Sequence, residues 1–279
     1  MIKETKLNNV SVKPIVDANP SDITKIKGYA LIPMNYWTLF ICSKKKSGKT
    51  SLINEITKKC TDKRTVFWIF CSTYKIDASW IEIIKMLEDR GNQVNTFDTI
   101  QDGKENILDS ILDGLSDEPT DKPAKEEKQS GEGVTIKKPE YNIFGGGKQE
   151  KEKKEYVPKK SAPKNLFIFD DISQSLKSPS VSRLLKQHRH SFSSVIISSQ
   201  YLHDIRPEST LQIDYFFAFR SFSQEKLMYI HKVLDLSIEF DRFWELYKFA
   251  TEKPFNFLYL NVRTEEMRQN FNKKLEFDI

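Results

Sequence analysis

The sequence predicts an α/β fold built around a mainly parallel sheet. Three features lead there. Short runs that are almost continuously apolar read as strands buried on both faces, as in a parallel sheet covered by helices. Amphipathic stretches at helical spacing fall between those runs, and this alternation is the pattern of strand–helix–strand units. One long segment, 118–164, belongs to neither class and interrupts the pattern without ending it.

In chain order, the first clear strand is 37–42, followed by a helical stretch at 49–59. A second strand, 65–71, leads to a helical stretch at 78–89. Gly91 closes that helix, because glycine enters the left-handed conformation of a helix end at little cost. A third helical stretch covers 107–115. Beyond the interruption come strand 166–169, helix 180–188, and strands 194–198 and 215–219. Helices 224–234 and 238–249 and a last strand at 255–262 complete the series. Residues 1–29 show no period and are expected to form an arm. There is no internal repeat.

The interrupting segment holds 12 Lys and 9 Asp or Glu, with five of the chain's ten Gly and five of its eleven Pro. So little apolar surface cannot offset the entropy of ordering, so a disordered insertion is expected. Removing these 47 residues from 279 leaves 232, the size of one α/β domain spanning 30–117 and 165–279. The net charge is +5, of which the insertion supplies +3. A near-neutral folded part argues neither for a strongly basic nucleic-acid binder nor for an acidic disordered protein.

The longest apolar stretches, such as 36–42, fall far short of the ~18 residues of a membrane span. No apolar core follows the charged start, so no secretory signal is expected. The three cysteines, Cys42, Cys60 and Cys71, lack C-x-x-C spacing, which disfavours a disulfide framework and a zinc site. Two of them lie in apolar runs, where free cysteine behaves as a small hydrophobe. A soluble, intracellular protein is the expectation.

The most informative stretch is Ser43-Lys-Lys-Lys-Ser-Gly48-Lys49-Thr50, set between a strand and a helix. It fits G-x-x-x-x-G-K-[ST] except that Ser43 stands at the first glycine. In such a loop, backbone N–H groups face phosphates and the helix N-terminus adds partial positive charge. Ser43, Ser47, Gly48 and Ser51 would supply backbone to that cradle. Lys49 would reach the β- and γ-phosphates of ATP, and the Thr50 hydroxyl would bind Mg²⁺. Lys44, Lys45 and Lys46 either screen phosphate charge or are merely solvated. Ser43 is acceptable if its backbone needs no positive φ.

A second acidic motif completes the metal site. Asn165-Leu-Phe-Ile-Phe-Asp170-Asp171 runs four apolar residues into two carboxylates. Asp170, ending a buried strand, takes the position of the aspartate that shares Mg²⁺ with the loop hydroxyl. Strand alternation turns Asp171 to the other side, toward an attacking water that it could orient or deprotonate. The plainer reading of Asp171 is a helix cap.

After one more helix, the strand 194–198 leads to Gln200, placed to sense a γ-phosphate. Arg189, just before this strand, could reach a neighbouring subunit's nucleotide and stabilise transition-state charge. Arg183, Arg206 and Arg220 compete for that role, and each also reads as a solvated surface arginine. His188 and His190 have no partners at metal spacing.

Taken together, the loop, Leu-Phe-Ile-Phe-Asp-Asp-Ile, Arg-His, the apolar strand and Ser-Gln resemble the poxvirus-type DNA packaging ATPases. These occur in large double-stranded DNA viruses, virophages and Polinton-like elements, within the FtsK/HerA superfamily of ring-forming DNA pumps. The matching stretches are 40–53, 166–172, 184–201 and 215–219, then Ser223-Gln-Glu-Lys. Roughly residues 36–75 and 164–235 are covered. The resemblance implies an ASCE-type P-loop NTPase fold, with Lys49 and Thr50 on the triphosphate and Mg²⁺ and Asp170 on Mg²⁺. It also implies Asp171 as catalytic acid residue, Gln200 as sensor and Arg189 as the arginine of a Gly-Arg-His motif. His188 replaces that motif's glycine, and no clear Arg-x-Asn follows the sensor strand.

The function it implies is an ATP-driven translocase packaging double-stranded DNA into a preformed capsid as a homo-oligomeric ring. Partners would be DNA and capsid or portal components, in the host-cell cytoplasm at the assembly site or in the virion. A cellular HerA-like helicase or translocase is the alternative enzyme. A non-hydrolysing nucleotide-binding scaffold is the alternative from another class, and Lys49, Thr50, Asp170 and Asp171 together argue against it.

Overall fold

Nine strands form one sheet in the order β11-β10-β9-β8-β1-β7-β6-β2-β3, in a computed structural model that describes residues 23–117 and 161–277. The strands are β1 (Thr38–Cys42), β2 (Val66–Cys71), β3 (Val94–Phe97), β6 (Asn165–Asp170), β7 (Ser193–Ser199) and β8 (Tyr215–Phe219), then β9 (Phe257–Asn261), β10 (Glu266–Gln269) and β11 (Lys273–Leu275). A two-residue pair, β4 (Gln101–Asp102) and β5 (Glu105–Asn106), forms a separate hairpin. The helices are α1 (Lys49–Cys60), α2 (Ala78–Asp89), α3 (Ile107–Asp117), α4 (Pro179–Gln187), α5 (Pro207–Thr210), α6 (Gln224–Val233) and α7 (Phe240–Ala250). From β3 to β8 every pairing is parallel, whereas β8 to β11 pair antiparallel as a meander. One strand, β7, separates the loop-bearing β1 from the acidic β6, as in an ASCE-type P-loop NTPase.

Side chains alternate across the central strands, and both faces are covered. Leu39, Ile41, Phe67, Ile69, Leu166 and Ile168 pack with α1 and α2 through Ile53, Ile56, Trp80 and Leu87. Phe40, Phe70, Phe167 and Phe169 point the other way, into a cluster with Leu108, Leu184, Leu227 and Phe243 of α3, α4, α6 and α7. This two-sided burial explains why these strands read as continuous apolar runs. Gly91, at φ 84°, ends α2: its N–H donates to Glu88 O and the next N–H, of Asn92, to Leu87 O. That double closure is the glycine stop expected from sequence.

The expected strand at 255–262 is present as β9, shorter and antiparallel to β8. Strands β3, β10 and β11 had no sequence expectation. Apart from the buried Met267, their short segments are half-buried or exposed, and they lack the apolar runs of central strands. Of the expected disordered insertion, 118–160 lies outside the described residues, as do 1–22 of the expected arm. Near them, Ile26 is buried and forms a parallel bridge with Ser161. Among the described residues, no helix is long and apolar enough to cross a membrane.

Candidate nucleotide-binding site

The loop leaving β1 carries the first half of the site. Ser43 is 1% exposed, and its N–H donates to Ser199 O at 3.1 Å. Its backbone is not among the positive-φ positions, so a serine brings no backbone strain where the motif usually has glycine. The left-handed residues come later, Lys46 at φ 61° and Gly48 at φ 95°. The positive φ favours glycine there, and a Cβ would in addition lie a tight 3.3 Å from Phe255 Cδ1. The N–H groups of Lys49, Thr50 and Ser51 open α1 and have no intrahelical partner. That first turn contains no acidic residue and no side-chain cap, which leaves its positive end for an anion. Lys44, Lys45 and Lys46 are exposed, while Ser47 and Thr50 are half-buried.

The second half arrives on β6. Lys49 Nζ lies 2.9 Å from Asp170 Oδ1 and 2.7 Å from Asp171 Oδ1. Burial pushes the Lys49 ammonium down, but the two carboxylates outweigh it and hold its pKa above the ordinary lysine value. Asp170 is itself 1% exposed, and its Oδ2 accepts from the indole N–H of Trp80 at 3.0 Å. Asp171 does not turn away as strand alternation predicts. Its backbone is left-handed, φ 53°, which breaks the alternation and returns the carboxylate to the Lys49 side. Ser72 Oγ holds that turn by donating to Asp171 O at 2.9 Å. Asp171 makes no helix-cap bond; the short turn that follows is preceded by Ile172, without a side-chain cap.

Gln200 follows β7, and register Cys42↔Ser199 places it beside the start of the loop. Its carbonyl accepts from Cys42 Sγ at 3.4 Å and from Lys226 Nζ. The Lys226 ammonium lies 3.8 Å from the Phe222 ring centroid and 4.4 Å from that of Tyr201. Burial lowers its pKa. The same burial pushes the Cys42 and Cys60 thiols up to about 12 and raises Cys71, so all three are neutral buried groups.

Whether ATP and Mg²⁺ fit can be read from polar atoms without partners. Ser43 Oγ, Ser47 Oγ and Ser198 Oγ are buried without a hydrogen-bond partner among the described residues; Ser43 and Ser47 lie in the loop, and Ser198 pairs in register with Asp170. Such groups are costly unless something satisfies them. Mg²⁺ takes oxygen ligands, commonly one or two carboxylates plus substrate phosphates. Asp170 with the Thr50 hydroxyl is a donor set of that kind.

Arg189 is not brought to this cluster within the chain. It precedes β7, at the opposite end of a seven-residue strand and therefore about 20 Å away. There its guanidinium lies 2.7 Å from Asp214 Oδ1, and Arg263 joins the same oxygen at 2.8 Å. Asp214 is 2% exposed and also accepts from the Thr38 N–H, so it fastens the starts of β1 and β8. Arg183 pairs with Asp113, and Arg206 donates to Lys177 O. Arg220, by contrast, follows β8 at the loop edge and makes no ion pair among the described residues.

Sequence reasoning missed Trp80, Ser72 and Lys226. Periodicity assigns Trp80 to the buried face of α2, and a buried indole N–H needs an acceptor, but nothing local names Asp170 as that acceptor.

No family model matches the chain, and no curated protein matches it. Solved structures do. B204, the DNA-packaging ATPase from Sulfolobus turreted icosahedral virus, is 15% identical with a TM-score of 0.50, covering 85% of this chain and 98% of that one. The genome packaging NTPase B204 from Sulfolobus turreted icosahedral virus 2, in complex with ATP-gammaS, is 17% identical with a TM-score of 0.49, covering 86% and 98%. The cytoplasmic domain of the Thermomonospora curvata Type VII secretion ATPase EccC is 13% identical with a TM-score of 0.47, covering 87% and 26%. The resemblance drawn from the loop and the acidic strand therefore extends to the fold: this chain has a P-loop NTPase fold, shared along most of its length with a viral packaging ATPase.

Proposed function

We propose that the chain is an ATPase that drives double-stranded DNA into a preformed capsid, working as a homo-oligomeric ring. The observation that carries the reading is the convergence of Lys49, Asp170 and Asp171 at the end of a phosphate-type loop surrounded by unpartnered buried hydroxyls. The packaging step rests on the resemblance and the shared fold.

In this reading the N–H groups opening α1 cradle the phosphates, and Lys49 exchanges its carboxylate partners for β- and γ-phosphate oxygens. Thr50 and Asp170 would hold Mg²⁺, whose charge would offset that of the phosphates. Trp80 keeps the Asp170 carboxylate oriented. Asp171, freed from Lys49, orients the attacking water and accepts its proton at Oδ1. Gln200 senses the γ-phosphate. An arginine from the neighbouring subunit stabilises the transition-state charge, and Arg189 is our candidate because its position excludes action on its own subunit's nucleotide. Phosphate contacts to DNA need only a few basic side chains per subunit, so a near-neutral folded part suffices.

The test is ATP hydrolysis by the purified chain, titrated with linear double-stranded DNA, with the mass in solution measured alongside. DNA-stimulated turnover by a ring-sized assembly is expected. Turnover by a monomer indifferent to DNA would sink the pump and leave a small-molecule NTPase.

A further inference from the structure

Phe255 occupies an unusual position. It lies in the connection from α7 to β9, at φ 65°, a left-handed backbone that bulky side chains avoid. The residue is 69% exposed, and its ring makes no ring or cation contact among the described residues. Burial therefore does not repay the strain. What the ring does touch is the phosphate loop: its Cδ1 is 3.3 Å from the point where a Gly48 Cβ would stand.

The sheet order says which end of a nucleotide would meet it. Lys49 is drawn toward β6, so the terminal phosphate belongs on the β6 side of the loop. Register Phe219↔Phe257 sets the start of β9 at the same edge, with β8 between it and β1. Phe255 thus stands across the loop from Asp170 and Asp171, where the base of a bound nucleoside triphosphate emerges. The side-chain oxygen of the adjacent Asn256 already accepts from Asn270 Nδ2 at 3.1 Å.

We propose that the exposed ring of Phe255 is the platform on which the nucleobase stacks, and that the base is held by stacking rather than read by hydrogen bonds. The proposal rests on the nucleotide reading of the loop and adds its base subsite. Stacking tolerates any base, since each has a π-face, so ATP and GTP should bind within several-fold of each other.

The test is equilibrium binding to the full chain of three Mg²⁺-loaded probes: ATP, GTP and inorganic tripolyphosphate, which has no base. Phe255→Ala should weaken ATP and GTP about tenfold and leave tripolyphosphate unchanged, while Phe255→Trp keeps all three affinities. Phe255→Gly should show the same loss of nucleotide affinity with no fall in melting temperature, because glycine suits φ 65°. Unchanged ATP affinity in the alanine and glycine variants would overturn the proposal. So would an equal loss of tripolyphosphate, which would make the ring a prop for Gly48. A wild-type chain binding neither ATP nor tripolyphosphate would overturn the nucleotide reading beneath it.

Discussion

Lys49 Nζ stands 2.9 Å from Asp170 Oδ1, so the cation of the phosphate loop is held by the carboxylate assigned to the metal. Asp171 shares the same ammonium. A triphosphate entering the loop would therefore displace an existing ion pair, and the carboxylates released are those we propose for Mg²⁺ and water.

Removing the lysine tests both halves of that statement. Lys49→Ala leaves Asp170 buried with only the Trp80 N–H, and an unpaired buried carboxylate should cost about 2 kcal/mol of stability. Thermal melting without nucleotide reads this loss, and ATP turnover should vanish together with it. A variant as stable as wild type would mean that the ion pair does not form in solution.

Trp80→Phe keeps most of the ring packing and removes the donor to Asp170 Oδ2. A hydrogen bond to a charged group contributes about 1.5–3 kcal/mol, so a fall of that order in unfolding free energy is expected. Higher Mg²⁺ should be needed for half-maximal hydrolysis, because the carboxylate is then free to rotate. A stability loss with an unchanged Mg²⁺ requirement would confine Trp80 to packing.

Asp171→Asn separates binding from chemistry. Lys49 retains Asp170, and the loop is untouched, so ATP affinity should stay within a few-fold of wild type. Turnover should fall about a hundredfold with loss of the proton acceptor. Normal turnover in the variant would remove Asp171 from the mechanism.

These residues also mark what could be read from the sequence. The central strands, the turn from β1 into α1 and the carboxylates that end β6 were legible, because two-sided burial and a strand–loop–helix turn each leave a local pattern. Asp170 needed only the end of an apolar run. The direction of Asp171 was not legible: a left-handed φ at a non-glycine residue is imposed by neighbours such as Ser72, 99 positions away in sequence. The partnership of Trp80 with Asp170 spans 90 positions and leaves no spacing to detect. Edge strand β11 and its neighbour β10 escaped for a different reason, since half-exposed strands carry no continuous apolar signal.

His188 gives a prediction in pH. It is 2% exposed, with Nδ1 2.9 Å from Leu185 O and Nε2 2.8 Å from Tyr36 O. Burial pushes its pKa below the ordinary histidine value; the two carbonyls pull it partly back, Arg189 pushes it down and Asp214 pulls it up. The folded state thus prefers the neutral ring, while the unfolded chain takes up a proton near pH 6.5. The sign follows: this contribution to stability is complete above about pH 6.5 and declines as pH falls from there toward the lowered folded value. Melting temperature should drop between pH 7 and pH 5.5, and His188→Gln should flatten that slope at some cost in stability. A wild-type melting temperature that rises on acidification would show the opposite balance, with both carbonyls accepting from a charged imidazolium.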